Sequence, residues 1–572
     1  MSRASIADRG KLSWLLLRRG LNRVTGRSRA HPFLRLPDLF AGRSRLLIAP
    51  QDLRTADPTR ASEIYAGRFA FAGKVVVCDG RSPFEMIPPS VEWADALLGF
   101  GWLRHLRAAD KAITRANARA LVDEWIALQG SWNDRAWQPE ILARRVVAWL
   151  SHAPLILNDA DLASYRRFLR TLHRQIRYLR CTVGDTRDGV PRLQAHIALT
   201  YAALCVAGQE RHLPIAARHL ASELARQILP DGGHITRNPG ALIELMLDLL
   251  PLRQVFAARN VAPPPALLNA IDRVMPMLRF FRHGDGKFAL FNGMGQTQPD
   301  LIATLLAFDD AHGTPYGNAP HSGYQRVEAV HSVLIMDTGG PPPLELSGDA
   351  HAGCLSFEFS ARQPIIVNCG TPNVAKANWH EVARATAAHS TVTFNDTSSC
   401  RFSSARSYAR LFGHPIIEGP GRVDVAREDG EQGHVVRASH DGYARRFGFV
   451  HLRHLHLSAD GDRLDGEDSF HPDDAQHRGR ALPDQFAVRF HLHPDVRAER
   501  QADGRTVVLV LPNKDRWTFR ADDHPVELEE SVYLAAPDGA RRTLQLVISG
   551  HARKTPRLAW SLSHGSPEAP TS

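Results

Sequence analysis

His389 heads the run HSTVTFN, in which β-branched and aromatic residues alternate with polar ones as they do on a pleated strand. A histidine at such an entrance either fills the sheet or works at its rim, because imidazole changes charge near neutral pH. Two further polar residues sit at the ends of strand-like runs in the same half of the chain, His351 opening HAGCLSFEFS and Asn368 in IIVNCGTP. Two imidazoles and a carboxamide oxygen from neighbouring strands could hold zinc. The same three residues also read as rim side chains bonded to nearby loops. A second cluster, His234, Arg237 and Asn238, lies in LPDGGHITRNPG. Polar, Gly-rich loops carry function more often than helix faces do, although Asp231-Gly232-Gly233 also reads as a plain turn and Asn238-Pro239 as a helix start. Gln194 and His196 in RLQAHIAL fall on a helix that could line the same cavity, and Asn292 ends FALFNG before a Gly turn.

The elements that must position these residues change character along the chain. Residues 1–90 are mixed, with a basic start and extended signals such as GKVVVCDG. From about Trp93, segments such as ARALVDEWIALQ, PEILARRVVAWLSHAPLIL and GALIELMLDLLPLRQVF carry apolar residues at helical spacing. They begin near Asp, Asn or Pro and end near Gly or Pro, as helix boundaries do. Consecutive amphipathic hairpins of this kind form a solenoid or a closed toroid. After residue 315 the pattern becomes short alternating runs, among them HSVLIMDTG, FAVRFHLHP, TVVLVLP and TLQLVISG, punctuated by turn residues. The expected architecture is therefore α+β and multidomain: helices over 91–315, an antiparallel β-sandwich over 316–560, and a disordered tail over 561–572.

At 572 residues, with 44% hydrophobic and 23% charged residues, the chain is an ordinary globular protein too long for one core. A formal charge of +10 favours anionic partners, whether nucleic acid, acidic polysaccharide or a membrane surface, without choosing among them. The basic residues are dispersed and no RNP, zinc-finger or helix-turn-helix signature is present, which argues against nucleic acid. The six cysteines are scattered without a C-x-x-C pair, so neither a zinc ribbon nor a disulfide framework is expected. The apolar run WLLL near the start is too short for a signal peptide, and no segment is long enough to span a bilayer. By sequence the expected location is the cytoplasm.

DGKFALFNG, HAGCLSFEFSARQPIIVNCGTP, RATAAHSTVTFNDTSSC and HDGYARRFGFVHLRHLHLS together resemble the heparinase II/III family of polysaccharide lyases. The resemblance implies an α/α toroid, an incomplete barrel of helical hairpins, followed by a large antiparallel β-sandwich. It implies cleavage of a uronate-containing acidic polysaccharide or oligosaccharide by β-elimination, a periplasmic or envelope location, and allows a homodimer. Such a reaction needs a group that neutralises the uronate carboxylate, a base for the neighbouring proton and an acid for the leaving oxygen. Carried over by position, His389 matches the histidine of the family's H-[NS]-T motif. His351 matches the second histidine of H-x-H, while Asp349 occupies the place of the first, catalytic one. Asn368 stands where an aspartate ligand is found, so zinc through His351, Asn368 and His389 is implied with one charge missing. No tyrosine follows the DGG turn. The resemblance leaves His389, His234, Tyr443, Arg237 and Asn238 as the catalytic candidates, and His196, Asn292, Arg384 and Trp379 as substrate-binding ones. A chain with these departures either uses that shifted set or is a catalytically impaired glycan-binding or envelope-biosynthesis protein, and no cofactor is required.

Overall fold

The computed structural model describes residues 45–129, 135–308, 313–372, 377–404, 413–473 and 482–565, together with the isolated positions 13, 14, 17 and 20. Most of the basic start and of the expected tail thus lie outside the described residues. The chain divides into two compact units. The first comprises Met1–Ile228, Ile243–Asp272 and Asp300–Asp310, and the second comprises Leu229–Leu242, Arg273–Pro299 and Ala311–Ser572. Two stretches that read as part of the helical region therefore belong to the second unit, and they carry His234, Arg237, Asn238 and Asn292.

The first unit is helical apart from the hairpin Arg68–Phe71 with Lys74–Val77, which realises the extended signal in GKVVVCDG. Its helices start where the sequence supplies caps. The Ser90 hydroxyl accepts the Trp93 N–H at 3.2 Å to open Val91–Gly99, and the Asp161 carboxylate accepts the Ser164 N–H at 2.6 Å to open Leu162–Thr182. Trp125 and Trp149 meet edge to face at 5.5 Å, with Phe100 against both. Arg145 lies among them, fully buried, its guanidinium 4.3 Å from the Trp125 ring centre. It donates to Gln175 Oε1, Leu98 O and Ala136 O at 2.8–2.9 Å, and burial pushes its pKa down to about 9. Among the described residues no helix is long and apolar enough to cross a membrane.

The second unit is built on two antiparallel sheets. One runs in the order Val423–Gly430, Gly433–His440, Phe449–Ser458, Arg463–Pro472, Arg557–His564, Arg516–Ala521, Thr506–Val510, Arg497–Arg500. The other is ordered Glu527–Tyr533, Arg541–His551, Gln485–Leu492, Pro364–Val367, Phe357–Ser360, Ser332–Asp337, Tyr324–Ala329, Asn318–Ala319. Alternate residues of both, including Leu455, Leu457, Leu562, Phe357, Phe490 and Leu546, form one apolar core between them.

Inside that core sits a buried charged cluster. The Asp468 carboxylate accepts Nε of Arg453 at 2.8 Å, Nε2 of His451 at 2.7 Å and Nε1 of Trp560 at 3.2 Å. Burial alone would push this carboxyl up. The Arg453 charge and the His451 hydrogen bond outweigh it and hold the group far below the ordinary carboxylate range. Arg453 also donates to Leu355 O and Ser390 O, so it fastens the segment after His389 to the opposite sheet.

Candidate functional site

His389 is not in a strand. The strand expected over HSTVTFN is confined to Val392–Phe394, paired with Gln485–Leu492. A 3₁₀ turn, Thr386–Ala388, precedes it, and the Thr391 N–H returns to His389 O at 2.8 Å. The turn directs the imidazole inward, where it is 1% exposed. Its Nδ1 donates to Ala385 O at 2.8 Å, which leaves Nε2 to accept Nδ1–H of His351 at 2.9 Å. His351 Nε2 in turn accepts the Thr371 hydroxyl at 3.2 Å. All four ring nitrogens are therefore engaged, and both rings are neutral. Burial is the main cause for each, lowering His389 to about 4 and His351, which also faces His389, Arg384 and His380, well below its ordinary value.

Asn368 follows the strand Pro364–Val367 and is completely buried. Its Oδ1 accepts the Ser390 N–H at 2.9 Å, and its Nδ2 donates to Glu358 Oε1 at 3.1 Å. Glu358 also takes the Leu290 and Asn368 N–H groups on Oε1 and faces His283 Nε2 through Oε2 at 3.1 Å. A carboxylate at position 368 would confront Glu358 at the distance where the carboxamide now donates. The amide is thus what this packing requires.

Arg237 is one of the catalytic candidates, but its donors are committed to the protein. Nε donates to Ser322 O at 2.7 Å, Nη1 to Gly339 O and Gly340 O at 3.1 and 2.9 Å, and Nη2 to Gly323 O at 3.0 Å and Asp337 Oδ1 at 2.5 Å. Asn292 donates to Tyr324 Oη and Asp337 Oδ2 at 2.7 and 3.0 Å and accepts the His351 N–H at 3.2 Å. The Tyr324 hydroxyl closes the circuit on Arg237 O at 2.6 Å. Both Arg237 and Asn292 adopt positive φ, 62° and 47°, so this hub holds two strained backbone positions in place. Asn238 caps the following helix through Gly240 N at 2.8 Å, and His234 Nδ1 accepts the Thr236 N–H at 3.2 Å and meets its hydroxyl at 2.7 Å.

The remaining candidates are held in different ways, and His196 keeps a buried Nδ1 without a hydrogen-bond partner. Tyr443, the expected phenolic acid or base, is wholly buried among Phe394, Phe447 and His440 and donates to Val392 O at 2.7 Å; burial drives its pKa up, away from any role near neutral pH. Arg384, expected to bind substrate, holds Ala350 O and Ser347 O at 2.8 and 2.9 Å over the Phe402 ring, and burial lowers it to about 10. Trp379 packs on Cys369, Ala383, Ala388 and Leu534. Asp349 is exposed and faces His380 Nε2 at 3.4 Å. His196 belongs to the first unit, on the helix Val190–Cys205 with its ring 5.6 Å from that of His219, and burial lowers it to about 4.

Glu358, Asp337, Tyr324 and Thr371 were not anticipated, although they hold Asn368, Arg237, Asn292 and His351. Glu358 had a signal, being a lone charge inside the apolar run SFEFS.

The family described as "Heparinase II/III-like, C-terminal" matches residues 311–561. FtsZ-localized protein C of Caulobacter vibrioides is 35% identical over 528 residues, covering 90% of this chain and 89% of that protein. The chain belongs to the heparinase II/III-like family. Solved heparinase structures have the same fold. A heparan sulfate lyase HepC mutant from Pedobacter heparinus aligns with a TM-score of 0.63 at 14% identity over 99% of this chain and 90% of its own. Heparinase III aligns at 0.66 and 13%, over 86% and 81%. The architecture is thus the heparinase III-like toroid followed by a β-sandwich.

Zinc at the position implied for some heparinase II/III-like proteins does not fit the donors here. A metal needs lone pairs aimed at one point. Those of His389 and His351 are taken by His351 and Thr371, and Asn368 Oδ1 is taken by Ser390. Protein purified without chelators is expected to carry far less than one equivalent of zinc by elemental analysis. Stoichiometric zinc that is lost on His351→Ala would contradict this assignment.

Proposed function

We propose that this chain is a catalytically silent member of its family that works by binding, at the cell-division machinery built on FtsZ, rather than by cleaving a glycan. One observation carries the reading: the groups available for β-elimination are buried and hydrogen-bonded to the protein itself. His389 has no free nitrogen, Tyr443 lies in the sandwich core, and Arg237 is saturated by carbonyls and Asp337. Asp349 stands where an imidazole would be needed, and a carboxylate there repels a uronate rather than neutralising it. The partner is supported by the relative's name, FtsZ-localized protein C, and by similarity extending over nearly the whole of both chains. This reading puts the protein in the cytoplasm. Full-length protein is expected to pellet with FtsZ polymers and to form a midcell band that disperses when FtsZ is depleted. Diffuse fluorescence together with no co-sedimentation would overturn the partner assignment.

A further inference from the structure

A cavity of about 370 Å³ lies wholly within the first unit. Segment 51–60 and the helices Val91–Gly99, Leu103–Ala109, Pro139–Ser151 and Val190–Cys205 contribute to its lining, with Phe71, Val147 and Leu247 among its apolar residues. Four acids line it, and each has a protein partner. Asp52 faces His152 at 3.3 Å and Arg54 at 3.5 Å, and Asp248 holds Arg54 at 2.9 Å. Asp95 pairs with Arg135 at 2.6 Å, while Glu244 accepts Gln194 at 2.9 Å and faces Arg144 at 3.7 Å.

The lining cation left over is Arg104. It donates Nε to Thr55 O at 3.1 Å and Nη1 to Gly101 O at 2.7 Å. Among the described residues no carboxylate lies within ion-pair distance of it, and Nη2 has no partner. Burial pushes its guanidinium down from its usual range, the more distant Asp52 carboxylate opposing that shift and the Arg54 and Arg60 charges adding to it. A guanidinium held by two carbonyls is also fixed in orientation before any ligand arrives, which favours planar, two-point recognition of a carboxylate or phosphate.

We propose that this cavity binds a small organic anion, its carboxylate or phosphate ester paired with Arg104 and its apolar body against Phe71, Val147 and Leu247. The volume suits a molecule of one or two rings. The site uses no residue of the His389 region and stands whether or not the chain meets FtsZ.

The test is calorimetric titration of the full-length protein with phenylacetate, phenyl phosphate and the neutral benzyl alcohol, with inorganic phosphate as a further probe. At least one aromatic anion is expected to bind, and benzyl alcohol and inorganic phosphate are not. Removing a charge-assisted pair, as in Arg104→Gln, should weaken binding by roughly 10- to 100-fold, with Arg104→Lys keeping part of it. Val147→Trp, which fills the cavity while leaving Arg104 in place, should abolish binding without loss of helical signal. Failure of both aromatic anions to bind the wild type would overturn the proposal. So would undiminished binding by a folded Arg104→Gln or Val147→Trp protein, or binding of inorganic phosphate as tight as that of phenyl phosphate.

Discussion

Replacing Arg237 with methionine is expected to lower the unfolding free energy by about 3–5 kcal/mol, the range found when one partner of a buried ion pair is removed. The substitution strands the Asp337 carboxylate, whose side chain is 3% exposed, and orphans the carbonyls of Ser322, Gly339 and Gly340, while Gly323 O keeps the Thr338 N–H. Asp337 would keep only Asn292 and the Gly339 N–H as donors. The Leu229–Leu242 stretch would then be tied to this region by the Tyr324 hydroxyl on the residue 237 carbonyl and by Asp231 on Ser322. Arg237→Lys should recover only part of the loss, because one ammonium cannot reach five acceptors. Urea unfolding followed by circular dichroism gives the number. A residue serving mainly to meet substrate would behave differently, leaving stability near the wild-type value.

The second large effect is on acid stability. His389 has its folded pKa lowered to about 4 and His491 to about 3, both chiefly by burial, and His351 and His440 are also lowered well below their usual value. An unfolded chain exposes these rings at about 6.5. Between 6.5 and the folded value, the unfolded state therefore binds protons that the folded state refuses. Stability must fall as pH falls through that window, by about 1.4 kcal/mol per pH unit for each such histidine. Buried acids add to this only below their own unfolded values, as with Asp468. The urea midpoint is thus expected to drop steeply from pH 6.5 to pH 4.5 and to shift less on His389→Asn. A midpoint that is flat over that range would mean that the histidines are charged or solvated in the folded protein.

Helical spacing and β alternation made the order of the two architectures legible, because both periods report a single buried face. The partition of residues 229–242 and 273–299 was not legible. They read as loops and helix ends, and what draws them to the sandwich is a set of long-range hydrogen bonds centred on Asp337 and Glu358, which no local pattern encodes. The sequence singles out His389, and the resemblance implies its closeness to His351, which the 2.9 Å contact between their rings shows. Its orientation was not legible, since the turn at Thr386–Ala388 overrides the β-branched preference of the residues after it. Tyr443 illustrates the same limit: the resemblance leaves it as a catalytic candidate, while the fold buries it against Phe394.

The central claim is that the residues aligned with a lyase apparatus hold this protein together instead of transferring protons. Its most direct test is to incubate the purified full-length protein with heparan sulfate, chondroitin sulfate, hyaluronan and alginate, and to follow the ultraviolet absorbance of the unsaturated uronate that β-elimination leaves. The account predicts no increase over buffer with any polymer, for the wild type and for His389→Ala alike. Steady accumulation of that chromophore by the wild type, abolished in a folded His389→Ala protein, would contradict it.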